Sequence, residues 1–284
     1  MRLAISNIAW APAQAREVYA LMAGHGFTGL EVAPALAFPD SADPFMPDAG
    51  ELSRLHGDLT EFGLTLVSMQ SLLFGVSGAQ LFGTAEERAR FEQAMGRALA
   101  LAGMVGIPNL VFGSPRQRAF PDGMGEARAM AEAAEVFARL GDRAQAEGTV
   151  IAIEPNPASY GTNFLTTVAD AARFVADLAH PAIALNFDLG ALYANGETAQ
   201  AADIYRRVVP RVSHVHISEP ELAPAPADTA ALAAIANAIL AEGYEGWFSI
   251  EMRQPNADPL AVVAQKMAMV AATFAALKGA ADAQ

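Results

Sequence analysis

The stretch VSHVHISEP, residues 212–220, alternates between two kinds of side chain. Val215 and Ile217 are apolar, whereas His214 and His216 occupy the other parity. Because successive side chains of a strand point to opposite faces of a sheet, the apolar pair is predicted to face surrounding helices and the histidines to face the interior. Three interpretations are then open. Both histidines bind a metal ion, one binds a metal ion and the other is a core residue, or both only pack in the interior.

Three other stretches repeat this alternation between large apolar residues and small or polar ones. They are IAIE (151–154), ALNFD (184–188) and FSIE (248–251). In each of them the last residue of the polar parity is a carboxylate. The same parity therefore delivers small or polar residues to the interior from four strands.

Short apolar runs alternate with longer segments of helical periodicity along the whole chain. Strands are predicted at residues 3–8, 29–32, 64–70, 109–113, 150–154, 183–188, 212–217 and 247–251. Helices are predicted at residues 12–25, 48–62, 85–105, 125–147, 166–179, 198–208, 228–242 and 259–278. Eight strand–helix units predict an α/β fold, a single (β/α)8 TIM barrel in one domain, residues 1–284. The alternative is a doubly wound open sheet, but no Gly-x-Gly-x-x-Gly motif follows the first strand.

Composition argues against several classes of function. The formal net charge of −13 disfavours nucleic-acid binding, which needs a cationic face. The chain has no cysteine, so any metal must be bound by oxygen and nitrogen ligands. The N-terminal sequence lacks the long apolar run of a signal peptide, and Gln265 and Lys266 interrupt the apolar segment 259–278. We therefore expect a cytoplasmic protein that spans no membrane and whose last helix is buried.

Four of the predicted strands each place an ionisable residue of the inward parity at the same rim: Glu154, Asp188, His216 and Glu251. Active sites of TIM barrels lie at the carboxyl ends of the strands. Three carboxylates that converge there repel one another unless a cation lies between them. Three oxygen ligands and one imidazole favour one divalent metal ion, Mn²⁺, Mg²⁺ or Co²⁺, with Zn²⁺ as a further candidate. The alternative is that each carboxylate caps a helix or accepts a hydrogen bond in a loop.

These four residues lie in four motifs, IAIEPNP (151–157), NFDLGAL (186–192), HVHISEP (214–220) and GYEGWFSIEM (243–252). With them the chain resembles the xylose isomerase-like TIM barrel superfamily, in its sugar phosphate isomerase/epimerase branch. Spacings of 34, 28 and 35 residues between the four positions also match that family. Its members include ketohexose 3-epimerases, hydroxypyruvate isomerases and inosose dehydratases.

The resemblance implies that Glu154, Asp188, His216 and Glu251 bind one divalent metal ion. It also implies that Glu154 and Glu251 lie on opposite sides of a hydroxy-ketone and act as catalytic acid and base through an enediolate. Return of a proton to the same carbon from the opposite face gives epimerisation, and return to the neighbouring carbon gives aldose–ketose isomerisation.

His214 shares the parity of His216 but lies deeper in the predicted barrel. A strand rises about 3.3 Å per residue, so the two side chains are separated by about 6–7 Å along it. We therefore expect His216 to be a metal ligand and His214 to be a core residue that hydrogen-bonds Asn186 or Ser249.

The chain departs from the ketohexose 3-epimerases at three positions that contact the substrate in that family. Ala191 stands where they have a histidine, Leu222 where they have an arginine, and Tyr160 where they have a glutamate. These differences argue against a free ketohexose as the natural substrate. The missing histidine argues against hydroxypyruvate as well.

Six further residues are candidates for substrate binding: Arg116, Arg118, Asn156, Tyr160, Trp10 and Gln70. The arginines follow the fourth strand, and a guanidinium group matches a phosphate or carboxylate, although surface ion pairs are the alternative. The asparagine and tyrosine can donate hydrogen bonds to hydroxyls, or they hold the loop after Glu154 in place. The tryptophan can stack on a sugar ring. Three residues either line the pocket or pack in the core, namely Trp10, Gln70 and the inward-facing Glu31.

We therefore expect a metal-dependent isomerase or epimerase of a small sugar, sugar phosphate or related hydroxy-ketone. A dehydratase of the inosose type is one alternative, because it begins with the same proton abstraction. A non-catalytic sugar-binding barrel is another, and the full set of four ionisable residues argues against it. The expected partner is a small carbohydrate, with no nucleic acid and no membrane, and assembly into a homo-oligomer is left open.

Overall fold

The computed structural model describes residues 1–282 and shows eight parallel strands closed into a barrel. Each strand pairs with the next one along the chain, and the last pairs with the first. The strands are β1 (Arg2–Ser6), β2 (Gly29–Val32), β3 (Thr65–Met69), β4 (Asn109–Phe112), β5 (Val150–Ile153), β6 (Ile183–Asp188), β7 (Val212–Ser218) and β8 (Trp247–Glu251). The α-helices are α1 (Ala15–His25), α2 (Pro34–Ala37), α3 (Ala49–Phe62), α4 (Ala85–Val105), α5 (Glu126–Ala146), α6 (Val168–Leu178), α7 (Leu189–Ala194), α8 (Ala201–Val208), α9 (Thr229–Ala241) and α10 (Pro259–Asp282). The predicted (β/α)8 TIM barrel is confirmed.

The two parities of each late strand face different surroundings, as the alternation predicts. Phe187 of β6 packs edge-on against Tyr205 of α8, with ring centroids 5.0 Å apart. Phe248 of β8 packs against Phe274 of α10 at 4.7 Å. The apolar parity therefore forms the layer between barrel and helices, and the other parity fills the barrel interior.

The first strand is shorter than the sequence pattern predicts. A strand over residues 3–8 is expected, but β1 ends at Ser6. The Ser6 hydroxyl accepts a hydrogen bond from the backbone N–H of Ile8, and this contact begins a 3₁₀ turn over Asn7–Ala9. The apolar run continues through that turn, which is why hydrophobicity alone extends the strand too far.

Two short helices that are not predicted, α2 and α7, follow β2 and β6 almost directly. They are too short to show a helical period in the sequence. α7 begins at the end of β6, where the Asp188 side chain accepts a hydrogen bond from the backbone N–H of Ala191. Asp188 thus caps a helix and also reaches the rim, so the two roles considered for it from the sequence coexist.

α10 is the one helix within residues 1–282 that is long and apolar enough to cross a membrane, judged by length and composition alone. In the structure it packs against α1 and α9, and Val263, Met267, Val270 and Phe274 are buried. Their spacing of three or four residues is that of one helix face. α10 therefore lies in the outer ring of the barrel with that face directed inward.

The amino-terminal end of the barrel is closed by one large side chain beside two small residues. Trp247 has the inward parity of β8, and its ring lies against Gly29 of β2. Gly29 is in turn the register partner of Ala4 on β1. A Cβ added at Gly29 would lie 2.7 Å from the Trp247 ring and 2.8 Å from the Cβ of Ala4. These distances are shorter than carbon–carbon contact distances. Glycine is therefore required here for space, and the indole ring fills the room that it leaves.

We expect Gly29→Ala to lower the free energy of unfolding by about 1–3 kcal/mol, because the added methyl group overpacks the barrel floor. Urea denaturation followed by circular dichroism measures the change. Gly57→Ala is the matched control, since Gly57 lies in α3 with nothing within 4 Å of the added Cβ. There the substitution should raise the free energy of unfolding by about 0.5–1 kcal/mol. Equal stability of Gly29→Ala and the wild type would show that the floor has room for a methyl group.

Candidate active site

The side chains of Glu154, Asp188, His216 and Glu251 converge at the carboxyl-terminal mouth of the barrel. One possible ligand atom from each lies within 4.8 Å of the other three. Asp188 and Glu251 are the last residues of β6 and β8, and Glu154 is the first residue after β5. Closure of the barrel brings these strand ends together. We call these four residues the mouth cluster, and they are the four that the sequence predicts as metal ligands.

His216 directs its two ring nitrogens to different parts of the barrel. Nδ1 lies 3.0 Å from Glu154 Oε1, 3.2 Å from Glu251 Oε2 and 3.7 Å from Asp188 Oδ2. Nε2 points away from the mouth and lies 3.1 Å from Glu31 Oε2. The mouth cluster therefore offers three carboxylates and one imidazole nitrogen, Nδ1.

The mouth cluster carries three acidic groups in a buried site. Burial, and then the neighbouring Glu154 and Glu251 carboxylates, raise the pKa of Asp188 to about 8. Burial also raises the pKa of Glu251, with His216 acting in the opposite direction. Burial opposes the charged form of His216, but Glu31 and Glu251 outweigh it and raise the pKa of His216 well above its ordinary value. A divalent cation would relieve this repulsion, and the donor set suits Mn²⁺, Mg²⁺ or Co²⁺.

Neighbouring groups fix the carboxylate of Glu154. The Asn186 amide donates a hydrogen bond to Oε1 at 2.8 Å, and the Asn156 amide donates one to Oε2 at 3.2 Å. A Cβ added at Gly113 would lie 2.5 Å from Oε2, so a glycine at the end of β4 leaves the room that this carboxylate occupies. Two amide hydrogen bonds thus hold the Glu154 carboxylate in place, and the absence of a side chain at Gly113 leaves room for it.

A hydroxyl from β7 fixes the carboxylate of Asp188. Ser218 donates its hydroxyl proton to Asp188 Oδ2 and accepts a hydrogen bond from the backbone N–H of Gly190 at 2.8 Å. Ser218 is not among the predicted site residues. Its position two residues after His216 gives it the same inward parity, so the alternation of β7 in the sequence already places it on the face that forms the site.

The structure gives His214 a different neighbour from the predicted ones. Its Nε2 lies 3.0 Å from Glu31 Oε2. Asn186 bonds residues of the mouth cluster instead, and the Ser249 hydroxyl has no hydrogen-bond partner within residues 1–282. The prediction of a hydrogen bond from His214 to Asn186 or Ser249 is therefore wrong, because β2 sends a carboxylate to the same depth. The prediction that His214 is buried beneath His216 is confirmed.

A cavity of about 390 Å³ opens above the mouth cluster. Of the six candidates for substrate binding, Gln70, Asn156 and Tyr160 line it. Its wall also contains residues that are not predicted to be part of the site, namely Ser71, Leu73, Phe74, Val111, Ser114, Pro115, Gln117, Glu219 and Leu222. Most of them lie in loops that follow β3, β4 and β7, where strand parity gives no guide to position.

The other three candidates lie outside the cavity wall. Arg116 is exposed to solvent, and Trp10 is buried edge-on against Tyr19 with ring centroids 6.4 Å apart. Arg118 is fully buried with its guanidinium carbon 5.7 Å from the centre of the Phe112 ring. Burial lowers the pKa of Arg118 to about 10. The structure therefore does not bring these three side chains to the cavity.

Several solved structures with the same architecture are sugar epimerases. The 3-keto-D-glucoside 4-epimerase from E. coli has a TM-score of 0.73 at 19% identity, over 98% of this chain and 99% of that one. An L-ribulose 3-epimerase has a TM-score of 0.77 at 19% identity, over 99% and 97% of the two chains. The D-psicose 3-epimerase from Clostridium cellulolyticum H10 has a TM-score of 0.74 at 16% identity, over 96% and 98%. At these identities the likeness establishes the fold and leaves the reaction open.

No curated protein matches the chain. The family model of the xylose isomerase-like TIM barrel matches residues 19–273. This match spans most of the chain and includes all four residues of the mouth cluster. The chain therefore belongs to the xylose isomerase-like TIM barrel family.

Proposed function

We propose that the protein is a metal-dependent epimerase or isomerase of an uncharged sugar or related hydroxy-ketone. The observation that carries the proposal is the mouth cluster, in which three carboxylates and an imidazole nitrogen share one site at the floor of an open cavity. The structural neighbours named as sugar 3- and 4-epimerases support it. A barrel that only bound sugars would not need two glutamates at the strand ends to share one site.

Glu154, Asp188, Glu251 and Nδ1 of His216 would hold the divalent ion. The donor set fits such an ion, because without a cation burial, and then the neighbouring carboxylates, raise the pKa of Asp188 to about 8. Mn²⁺, Mg²⁺ and Co²⁺ are the proposed ions, with Zn²⁺ as a further candidate. When bound, a divalent ion supplies Lewis acidity that stabilises negative charge developing on an oxygen next to the reacting carbon.

Glu154 and Glu251 are proposed as the acid–base pair. Both line the cavity, and they come from the ends of β5 and β8, which lie apart around the barrel. One takes the proton from the carbon beside the carbonyl group, and the other supplies a proton on the return step. The amides of Asn186 and Asn156 keep the Glu154 carboxylate in one orientation.

The cavity wall favours a substrate without a phosphate or carboxylate group. Four carboxylates line it, those of Glu154, Asp188, Glu219 and Glu251, and none of its lining residues within 1–282 is a lysine or arginine. With the divalent ion bound, its three carboxylate ligands leave a formal charge of −1, and Glu219 adds another. A phosphate would therefore still meet net negative charge, and no lysine or arginine in the wall within residues 1–282. The substrate class expected from the sequence included sugar phosphates, and we narrow it to uncharged sugars on this ground.

Metal binding is testable directly on the purified protein. We expect Asp188→Asn to bind Mn²⁺ about 10-fold or more weakly than the wild type, because it removes one carboxylate from the donor set. Elemental analysis measures occupancy, and competition with a chelator measures affinity. Glu245→Gln is the matched control, since Glu245 is exposed and lies outside the cavity wall, and it should bind as the wild type does. Equal affinity of Asp188→Asn and the wild type would place the metal elsewhere.

Proton abstraction is testable by exchange with solvent. We expect the Mn²⁺-loaded protein in D₂O to place deuterium on the carbon beside the carbonyl group of an accepted ketose or keto-glycoside, as NMR detects. Glu154→Gln and Glu251→Gln should each slow this exchange by about 10²–10⁴-fold, because each removes one member of the acid–base pair. Metal content is measured on the same samples, since both residues are also proposed ligands. Loss of water from the substrate would indicate a dehydratase instead, and no exchange with any ketose or keto-glycoside tested would leave sugar binding alone.

Substrate charge is testable with matched pairs of sugars. We expect kcat/KM for a phosphorylated sugar to be about 10-fold or more below that for the same sugar without phosphate, because the cavity wall repels the added charge. The ratio should narrow as ionic strength rises, since salt screens the repulsion. A phosphorylated substrate that reacts faster than its uncharged counterpart would contradict the proposed substrate class.

A further inference from the structure

A second group of ionisable side chains lies beneath the mouth cluster. Glu31 on β2 meets His214 and His216 on β7, and none of the three is more than 1% exposed. Glu31 Oε2 lies 3.1 Å from His216 Nε2 and 3.0 Å from His214 Nε2. Glu31 does not line the cavity, so it does not contact a substrate there. Within residues 1–282, the close contact that links Glu31 to the mouth cluster is the one with His216.

The burial of Glu31 requires compensation, because an ionised carboxyl group is strongly disfavoured away from water unless charged partners replace the solvent. The two histidines are those partners. Their Nε2 atoms both lie beside Oε2 of this carboxylate. The second oxygen, Oε1, has no hydrogen-bond partner within residues 1–282. Glu31 is therefore a carboxylate whose close polar neighbours are two Nε2 atoms on β7.

A carboxylate beside Nε2 decides which nitrogen of His216 can serve the mouth. An ionised carboxylate only accepts hydrogen bonds, so the Nε2 that faces it must carry a hydrogen atom. A neutral imidazole has one such hydrogen, which leaves the lone pair on Nδ1. Nδ1 is the atom that faces the three carboxylates of the mouth cluster, at 3.0, 3.2 and 3.7 Å.

We propose that Glu31 is a positioning residue that fixes the ring orientation and tautomer of His216, so that Nδ1 is free to bind a metal ion. The inference rests on the metal site of the proposed function. A carboxylate that accepts the second N–H of a ligand histidine also raises the basicity of the metal-binding nitrogen. His214 Nε2 lies 3.0 Å from the same oxygen without hydrogen-bond geometry, so within residues 1–282 the hydrogen bond of Glu31 Oε2 to a histidine is the one with His216.

Glu31→Gln tests the proposal because it keeps the shape of the side chain and removes its charge. We expect this variant to bind Mn²⁺ about 10–100-fold more weakly than the wild type, by chelator competition. Glu31→Ala, which loses the acceptor altogether, should bind at least as weakly. Circular dichroism verifies that each variant is folded. Glu51→Gln is the matched control, because Glu51 is a buried carboxylate in the first turn of α3 and should leave the affinity unchanged.

Nitrogen NMR of the histidine rings separates positioning from a general loss of packing. In the Zn²⁺-loaded wild type, His216 should show a metal-bound Nδ1 and a protonated Nε2. In Zn²⁺-loaded Glu31→Gln, we expect one of two changes. The Nε2 signal shifts away from that of a strongly hydrogen-bonded N–H, or the ring coordinates through Nδ1 in some molecules and through Nε2 in others. A folded Glu31→Gln with the affinity and the His216 spectrum of the wild type would overturn the positioning role.

The same measurements distinguish failure of this inference from failure of the proposed function. If Asp188→Asn binds as tightly as the wild type, the metal site and the positioning role fall together. If Asp188→Asn binds weakly but Glu31→Gln binds as the wild type does, only the positioning role is overturned. A second bound ion in the wild type that Glu31→Gln loses would show that Glu31, His214 and His216 bind metal themselves, and this too would overturn the positioning role.

Discussion

The mutual repulsion of three carboxylates that converge at the barrel mouth is the constraint around which the candidate site is organised. A closed parallel barrel directs every strand's carboxyl end to one mouth, and here β5, β6 and β8 lead to acids. Burial strengthens the repulsion because the interior screens charge poorly. Side chains on flexible loops would move apart, whereas those at strand ends are held by the sheet. The barrel thus maintains a concentration of negative charge that a divalent cation can stabilise.

The site depends on successive layers of inward-facing residues beneath it. On β8 the inward parity runs from Trp247 at the floor through Ser249 to Glu251 at the mouth. On β7 it runs from His214 to His216. A group in one layer can therefore orient a group in the next without approaching the cavity. The contact of Glu31 with His216 is such a link, and it crosses the barrel interior from β2 to β7.

Strand parity explains how much of the fold and site could be predicted from the sequence. Parity is local, so the barrel and the four residues of the mouth cluster follow from short motifs. The contact of Glu31 with His214 and His216 is not local. It depends on strand stagger around the barrel, including register shifts at Glu31 on β2 and at Asn186 on β6. Arg118 marks another limit, because the loop after β4 buries its guanidinium near the Phe112 ring and outside the cavity wall.

The three departures from the ketohexose 3-epimerase pattern affect the structure unequally. Ala191 is buried in α7 outside the cavity wall, whereas Tyr160 and Leu222 line the cavity. The Tyr160 hydroxyl accepts a hydrogen bond from the backbone N–H of Glu221 at 2.7 Å, which ties the loop after β5 to the loop after β7. An aromatic and an aliphatic group therefore occupy the wall above the mouth cluster at two of these positions. Under the proposed function, the strand ends would supply the reacting groups and the loops the contacts with the rest of the substrate, so the wall would set the choice of substrate.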